Sequence, residues 1–516
     1  MIPDEQQATV AFLARPQSHG LDAGESVERI DTHISFVFLA GPSAYKLKRA
    51  VRLPFLDFSS LAAREAACRA ELAVNRRTAP TLYQAVAPVT RAADGRSAID
   101  GEGAIVDWLV VMRRFDQNTL FDRLIETGEL TSERLHALAE AIATFHRAAE
   151  RTPAFGGAEG LAQVIEGDDR TFAATALDRQ RTLELAGRQR AWLDRGAALL
   201  ERRRLGGLVR RVHGDLHLRN ICLIEDRPTL FDAIEFNDAF ACIDIAYDLA
   251  FLLMDLDHRG RRDAANLVLN HYLAFADEHL EGGDGPFAAL PLFLSLRAAI
   301  RAHVGATTAQ AIDEAPARAR AMAEATAYLD RALAYLDPPP PRLVAVGGLS
   351  GSGKSRLARA IAPRLGAAPG AVVLRSDVIR KRLAGVDMFT RLPESAYGAA
   401  MTVRTFESLF AQIRAALAAG HSVVADAVFA RPEQRAELAR IAAEADVPFQ
   451  GLWVEAPPEV MAERIAKRVR NASDATLEVL ELQKSYDLGT LEWPRLDSSG
   501  PRAETEQTAL RRLGLS

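Results

Sequence analysis

The chain has 516 residues, of which 48% are hydrophobic and 25% charged, a globular composition too long for one hydrophobic core. Its formal net charge of −5 excludes a strongly basic protein, so nucleic acid is not the expected partner. Three dispersed cysteines exclude a disulfide framework and a CxxC metal site. No apolar run reaches the roughly 20 residues that cross a bilayer, so we expect a cytoplasmic protein that does not bind membranes.

A run of prolines divides the sequence. Asp337 is followed by four consecutive prolines, which cannot continue a helix and favour a stiff, extended spacer. We therefore predict two domains joined by a short linker, and a first domain made of a small and a large lobe. The first domain is predicted at residues 1–336, with a small lobe at about 1–112 and a large lobe at about 113–336. The linker is predicted at residues 337–341 and the second domain at residues 342–516.

The first part begins with strands and continues with helices. Short strands are predicted at Val27–Ile30, Ile34–Leu39 and Ala44–Lys48. A helix with one apolar face follows at Ser59–Arg77, and a buried strand at Trp108–Met112. The rest of this part has a mostly helical pattern. Strands followed by helices predict an α+β domain, with a β-rich lobe and a larger helical lobe.

The second part alternates strands and helices. Strands are predicted at Leu343–Val346, Val372–Leu374, Val423–Ala425 and Leu452–Glu455, each followed by a helical run. This alternation predicts an α/β domain with a parallel sheet and helices on both faces.

A phosphate-binding loop opens the second part. Residues 348–355 read GLSGSGKS and match GxxxxGK[ST], between a strand and a predicted helix at Arg356–Leu365. In such a loop the backbone N–H groups surround phosphate, the lysine reaches the β- and γ-phosphates and the serine holds Mg²⁺. The predicted ATP-binding residues are Gly348, Leu349, Ser350, Gly351, Ser352, Gly353, Lys354 and Ser355, the last also a Mg²⁺ ligand.

Three further features of the second part point to phosphoryl transfer. Asp426 ends a predicted strand, where a carboxylate that organises Mg²⁺ is expected. Asp377 follows another strand, where a carboxylate could act as the base for an acceptor hydroxyl. It could also be the N-cap of the following helix, and the two roles are compatible. Arg464 and Arg468 lie one turn apart near Arg470, and form either a lid over the phosphates or a solvated basic face.

The first part contains a different set of candidate residues. In HGDLHLRN, Asp215 precedes Asn220 by five residues, the spacing of the kinase catalytic loop, and Asp232 follows twelve residues later. The segments Ile221–Ile224 and Thr229–Phe231 are predicted to pair as an antiparallel hairpin around a four-residue turn. This pairing would place residue 221 opposite residue 232 and bring Asn220 beside Asp232. Two oxygen ligands there predict a Mg²⁺ site, with Asp215 as the base that accepts the hydroxyl proton.

The β-rich lobe supplies a candidate phosphate-binding lysine. Lys46 resembles the lysine of the third strand in kinases, and Glu71 on the following helix is its predicted partner at the ATP site. Lys48 shares a strand face with Lys46 and is the alternative. Either lysine could instead be a solvated residue of an edge strand.

Four residues around the catalytic loop have predicted supporting roles. His213 is expected to bond backbone near the loop, whereas His217 could support the loop or contact the acceptor. Asp244 and Asp248 lie one turn apart on a predicted helix and are expected to brace the loop.

Both parts resemble known kinase families. Residues from about 342 to 500 resemble small P-loop kinases such as zeta toxins, polynucleotide kinases and gluconate kinase, through GLSGSGKS, RSDVIRKRL and VVADAVFARPEQR. Most of residues 25–330 resembles the aminoglycoside phosphotransferase family, a branch of the protein-kinase-like fold, through HGDLHLRN and DIAYDLA. The first part departs from protein kinases, because it lacks GxGxxG and its Asp232 precedes Ala-Ile-Glu rather than Phe-Gly.

These resemblances imply a bilobal protein-kinase-like domain followed by a P-loop NTPase domain. The implied activity is that of a bifunctional enzyme transferring the γ-phosphoryl group of ATP, with Mg²⁺, to hydroxyl groups of small molecules. One alternative makes one domain a regulatory nucleotide-binding module. Another makes the second domain a nucleic-acid end kinase with a basic groove, for which the candidates are Arg375, Arg380, Lys381, Arg382 and Arg391.

Overall fold

The computed structural model describes residues 3–22, 24–53, 56–276, 285–467 and 472–515. The chain forms two compact units, each made of several segments. The first comprises Met1–Ala141, Ala148–Gly156 and Gly207–Asp248, and the second comprises Ile142–Arg147, Gly157–Gly206 and Leu249–Ser516. Residues on both sides of the proline-rich segment belong to the second unit, and the predicted boundary at these prolines stays a prediction.

Before the prolines, a stretch rich in strands is followed by a stretch that is mostly helical. The strands are β1 Val27–Asp31, β2 Ser35–Ala40, β3 Ser43–Lys48, β4 Arg52–Leu53, β5 Leu56–Asp57, β6 Tyr83–Arg91, β7 Ser97–Ile99, β8 Ala104–Arg113, β9 Val209–Arg211, β10 Ile221–Ile224, β11 Arg227–Leu230 and β12 Cys242–Asp244. The α-helices are α1 Gln7–Leu13, α2 Leu61–Asn75, α3 Phe121–Glu126, α4 Ser132–Ala148, α5 Gly157–Phe172, α6 Arg179–Arg203, α7 Asp238–Ala241, α8 Ile245–His258, α9 Arg262–Phe275, α10 Leu290–Gln310 and α11 Ala315–Tyr335.

An antiparallel sheet with the order β1-β2-β3-β8-β6-β7 forms the β-rich part of the first unit. Side chains of β3 alternate between its faces, so Ala44 packs with Cys68 of α2 while Leu47 packs with Leu13 of α1. Helix α2 begins after Ser60, whose hydroxyl accepts a hydrogen bond from the Ala63 amide as an N-cap. The alternation also places Lys46 and Lys48 on the face that α2 covers.

The β10–β11 hairpin differs from the prediction. Glu225 and Asp226 form a two-residue turn, with left-handed φ values of 52° and 58°, so Ile224 pairs with Arg227 and Ile221 with Leu230. The prediction placed Pro228 in the turn, whereas in the structure it lies in β11. Proline is tolerated there because β11 pairs with a strand on one side only. The predicted pairing of residues 221 and 232 is therefore wrong. Asn220 lies opposite Phe231, whose amide donates to the Asn220 carbonyl at 3.0 Å.

The second unit contains a parallel sheet of five strands. These strands are β13 Leu343–Gly347, β14 Val372–Arg375, β15 Val423–Asp426, β16 Phe449–Glu455 and β17 Arg495–Asp497. Their order in the sheet is β14-β15-β13-β16-β17. The first four strands agree with the sequence pattern, and the short β17 was not predicted. The helices are α12 Lys354–Ile361, α13 Ser376–Leu383, α14 Ala399–Ala418, α15 Pro432–Glu444, α16 Pro458–Ala466, α17 Leu477–Lys484 and α18 Arg502–Leu513.

Helix α9 covers the edge strand β14 of this sheet. The side-chain amide of Asn266 donates to the Ala371 carbonyl at 2.9 Å, and the Val373 amide donates to Asn270 Oδ1 at 2.7 Å. These bonds satisfy backbone groups that an edge strand leaves unpaired. Because α13 follows β14 directly, helix α9 also helps to fix the position of Asp377. Over the residues described above, no helix is long and apolar enough to span a membrane.

Candidate active sites

The first site is centred on Lys46. Its Nζ lies 2.7 Å from Glu71 Oε1 on α2 and 2.5 Å from Asp232 Oδ1, on the segment after β11. Burial disfavours the charged amine, but the carboxylates of Asp232 and Glu71 outweigh burial and raise the pKa of Lys46 well above its usual range. The predicted Lys46–Glu71 pair therefore exists, and Lys46 is the lysine in contact with Asp232.

Lys48 lies deeper, in a second buried ion pair that the sequence analysis did not predict. Its ammonium contacts Glu71 Oε2 and Glu235 Oε1, and the Lys48 side chain is 0% exposed. Glu71 is thus shared by both lysines, which lower its pKa although burial alone would raise it. Burial raises the pKa of Glu235 despite the adjacent ammonium of Lys48. This pair joins β3 to the segment that carries Asp232.

The backbone around Asp232 is held in an uncommon conformation. Asp232 has a φ of 63°, in the left-handed region that few residues other than glycine adopt. Its amide donates to the buried Tyr83 hydroxyl at 3.1 Å, and the next amide, of Ala233, donates to Asn75 Oδ1 at 2.8 Å. Neither Tyr83 nor Asn75 was singled out from sequence, because both lie more than 140 residues from Asp232. Their bonds fix the direction in which the Asp232 carboxylate projects.

The catalytic-loop candidates Asp215 and Asn220 are in direct contact. The Asn220 side-chain amide donates to Asp215 Oδ2 and to the Asp215 carbonyl, each at 2.9 Å. Because its nitrogen is occupied in this way, Asn220 presents its Oδ1 as the atom for binding a cation. His217 Nε2 lies 3.4 Å from Asp215 Oδ2, which leaves open whether it supports the loop or contacts an acceptor.

Asp248 and His213 brace this loop. Asp248 accepts the amides of Gly214 at 2.8 Å and His213 at 3.3 Å, as expected for a bracing role. The His213 ring is buried, with Nε2 at 2.9 Å from the Phe231 carbonyl, and burial lowers its pKa. His213 therefore links the catalytic loop to the Asp232 segment. Asp244 instead accepts the Ala246 amide at 2.8 Å and caps the start of α8.

The phosphate-binding loop of the second part lies between β13 and α12, as predicted. Gly348 and Gly351 have φ values of 144° and 85°. A Cβ atom on Gly348 would lie 2.3 Å from the Val454 carbonyl oxygen, and one on Gly351 2.5 Å from that of Met461. Only glycine fits at these two positions. Lys354 is buried in the first turn of α12, and Ser355 follows it.

Side chains from distant segments support this loop. The Ser350 amide donates to Gln483 Oε1 at 2.8 Å, and the Ser498 hydroxyl donates to the Ser352 carbonyl at 2.6 Å. Arg464 donates to the Ser498 carbonyl at 2.6 Å and to its hydroxyl oxygen at 3.0 Å. Arg464 thus lies next to the loop, held through Ser498. Arg468 and Arg470, the other predicted lid residues, lie outside the described residues.

Asp426 ends β15 beside Arg375, the last residue of β14. Arg375 Nε lies 3.2 Å from Asp426 Oδ2, and both side chains are largely buried. Within the described residues, the buried Asp426 Oδ1 has no hydrogen-bond partner. A buried carboxylate oxygen without a partner is costly in water-excluded surroundings, and a bound cation or its water would satisfy it. The residues present therefore fit the predicted Mg²⁺ role.

Asp377 lies in the first turn of α13 and is half-buried. The N-cap position of this helix is Arg375, and no side chain caps it, so Asp377 does not act as the cap. Asp377 is close enough to Arg380 and Tyr397 to affect the pKa of each. Asp377 follows β14 at the same end of the sheet as Asp426. Its role as the base for the acceptor hydroxyl stays a prediction.

Comparison with known proteins places the chain in a family. An uncharacterized protein of Mycobacterium tuberculosis strain H37Rv is 30% identical over 494 residues, which cover 92% of each chain. The chain belongs to the same family as this protein. Residues 40–283 match the Phosphotransferase enzyme family, and residues 343–487 match an AAA domain of the P-loop type. The predicted fusion of an aminoglycoside-phosphotransferase-like domain with a P-loop kinase-like domain is confirmed, as is the predicted fold class.

Other similarities cover one domain each. The adenylyl-sulfate kinase of Myxococcus xanthus is 35% identical over 122 residues, which are 23% of this chain and 60% of that protein. The structure of a choline/ethanolamine kinase family protein from Mesorhizobium loti is 14% identical, covers 64% of this chain and 98% of that one, and has a TM-score of 0.38. The matches of this chain to the Phosphotransferase enzyme family and to the AAA domain support its assignment as a phosphotransferase.

Proposed function

We propose that the chain is a bifunctional ATP-dependent phosphotransferase, with one ATP–Mg²⁺ site in each domain and small-molecule hydroxyl groups as acceptors. The observation that supports it best is that the first unit pairs Lys46 with Asp232 and Asn220 with Asp215, while the second unit separately contains a phosphate-binding loop. Each set contains a phosphate-binding lysine, candidate oxygen ligands and a carboxylate base.

At the first site each residue has a distinct role. Asp215 receives the proton of the acceptor hydroxyl on a carboxylate oxygen, and the Asn220 amide holds that carboxylate in place. Lys46, oriented by Glu71, holds the nucleotide phosphates by charge. Asn220 Oδ1 and the Asp232 carboxylate, which is 43% exposed, are the oxygens that would hold Mg²⁺. The metal would neutralise the charge on the phosphates.

At the second site the loop backbone binds phosphate, and Lys354 reaches the terminal phosphoryl group. Ser355 and Asp426 would hold Mg²⁺, directly or through water, and Asp377 receives the proton of the acceptor hydroxyl. Arg464, bonded to Ser498 beside the loop, is the predicted lid residue in the described part of the chain. Arg468, its predicted companion, keeps this role as a proposal only.

ATP titration by calorimetry on the full chain tests the number of sites. Wild-type protein should bind two equivalents, Lys354→Ala should lose one, Asp232→Ala the other, and the double variant both. Asp226→Ala, which removes an exposed carboxylate in the β10–β11 turn, is the control and should still bind two. A stoichiometry of one in the wild type, or loss of both equivalents from one change, would refute two independent sites.

Turnover measurements test the two bases separately. Asp215→Ala and Asp377→Asn should each reduce phosphoryl transfer at its own site by about 10²–10⁴-fold, while ATP still binds. If one domain binds ATP but its base variant changes no product formation, that domain is a regulatory nucleotide-binding module. The proposal of a bifunctional enzyme would then fail, although the other site would stand.

A further inference from the structure

The parallel sheet places Arg375 close to the phosphate-binding loop. Arg375, the last residue of β14, is paired with Asp426 of β15, and Asp426 is paired with Val346 of β13, the strand that leads into the loop. The Gly348 amide of the loop donates to the Val428 carbonyl at 3.2 Å, two residues beyond Asp426. Because neighbouring strands are about 4.8 Å apart, the Arg375 backbone lies about 10 Å from β13, most of which an extended arginine side chain can span.

The Arg375 side chain extends from β14 over the end of β15. Its Nε donates to Asp426 Oδ2 at 3.2 Å, and the side chain is only 11% exposed. Within the described part of the chain, its Nη1 and Nη2 make no hydrogen bond. A guanidinium that is held through one nitrogen keeps two donor groups in a fixed plane, and this arrangement suits the oxygens of a phosphate group.

The charges at this end of the sheet favour an anionic ligand. Arg359, on α12, is close enough to Arg375 and Asp426 for the charge of each to affect its pKa. Lys354 begins the same helix directly after the loop and is buried. Three cationic side chains therefore lie at the end of the sheet where Asp426 lies, and a ligand with several negative charges, such as the triphosphate of ATP, would balance them.

We propose that Arg375 binds the γ-phosphate of ATP at the second site and makes this site prefer ATP to ADP. This inference rests on the function proposed for the second domain. The Nε atom stays bonded to Asp426, while Nη1 and Nη2 donate to oxygens of the γ-phosphate. ADP lacks these oxygens and leaves both donors without a partner. During transfer, the same guanidinium offsets negative charge on the phosphoryl group.

Nucleotide binding measured by calorimetry tests this role and needs no acceptor. In the full chain carrying Asp232→Ala, nucleotide binding reports on the second site, and this chain is the parent of every variant. Kd is measured in the presence of Mg²⁺ for ADP and for AMP-PNP, an ATP analogue that resists hydrolysis. Arg375→Gln should weaken the binding of AMP-PNP by about 10- to 100-fold, the range for a hydrogen bond to a charged group, with little change for ADP.

Two further variants serve as a conservative replacement and a control. Arg375→Lys keeps the charge but loses the planar pair of donors, so its loss of AMP-PNP affinity should be smaller. Should Arg375→Gln fail to fold, Arg375→Lys decides the test, because a selective loss for AMP-PNP supports the contact and unchanged Kd values refute it. Arg440→Gln removes an exposed arginine that pairs with Glu437 on α15, and it should leave both Kd values unchanged.

Opposite results have distinct meanings. Equal weakening of ADP and AMP-PNP binding in Arg375→Gln would show that Arg375 acts only by holding Asp426, and unchanged binding of both would show no role at the site. Either result refutes the contact with the γ-phosphate and leaves the proposed function of the second site standing. A parent chain that binds neither nucleotide, or that still binds them after Lys354→Ala, would overturn that function and this inference with it.

Discussion

Replacement of Lys48 by methionine should destabilise the first unit far more than a surface lysine replacement would. Lys48 contacts both Glu71 and Glu235, and the exposed fractions of the three side chains are 0%, 0% and 4%. Removing one partner of a fully buried ion pair leaves uncompensated charge and costs about 3–5 kcal/mol. Lys48→Met leaves Glu235 without its cation, and leaves Glu71 with Lys46 alone.

The size of this effect can be separated from a general effect of losing a lysine. Lys484 pairs with Glu481 on α17, where the side chains are 34% and 69% exposed, so Lys484→Met should cost at most about 1 kcal/mol. The double variant Lys48→Met with Glu235→Gln should be more stable than Lys48→Met, because the second change removes the unpaired charge.

Native-state hydrogen exchange with mass spectrometry measures the effect locally, without a two-state assumption for the whole chain. At about 1.4 kcal/mol per tenfold change, a cost of about 3–5 kcal/mol should lower the protection of amides in β3 and α2 by about two to three and a half orders of magnitude in Lys48→Met. Protection in the parallel sheet of the second unit should stay unchanged. Unchanged protection of β3, or a double variant that is less stable than Lys48→Met, would refute the buried-pair argument.

Three further predictions follow from single contacts. Asn270→Ala leaves the Val373 amide of the edge strand unpaired and should cost about 1–3 kcal/mol in urea unfolding; an unchanged midpoint would contradict the role of α9. Gly351→Ala places a Cβ 2.5 Å from the Met461 carbonyl oxygen and should remove one of two ATP equivalents in calorimetry, whereas retention of both would contradict it. The pKa of Glu71 is lowered below its usual value of 4.5 in the folded chain, so the Glu71 carboxylate stabilises the fold fully above pH 4.5. This stabilisation of the fold is lost as the pH falls from 4.5 through the lower pKa of Glu71 in the folded chain. Glu71→Gln should therefore unfold with a weaker pH dependence below about pH 4.5, and an equal dependence in urea melts would disprove this contribution.

The sequence alone determined the features that depend on contiguous residues. The glycine pattern of residues 348–355 fixes a phosphate-binding loop, because those backbone angles and that space exclude other residues. The spacing of Asp215 and Asn220 likewise places them within one loop, where they bond directly. Alternation along β3 put Lys46 and Lys48 on one face, but it could not separate their roles.

The tertiary structure decided what lies between distant segments. Lys46 meets Asp232 and Lys48 meets Glu235 across more than 180 residues, and only the folded chain assigns these partners. The register of the β10–β11 hairpin depends on whether Glu225 and Asp226 adopt left-handed backbone angles, which gives a two-residue turn. The residue pattern did not distinguish this turn from the four-residue turn that was predicted. Local motifs are encoded by backbone sterics over a few residues, whereas ion pairs and strand register are selected by packing of the whole domain, so the former could be predicted and the latter could not.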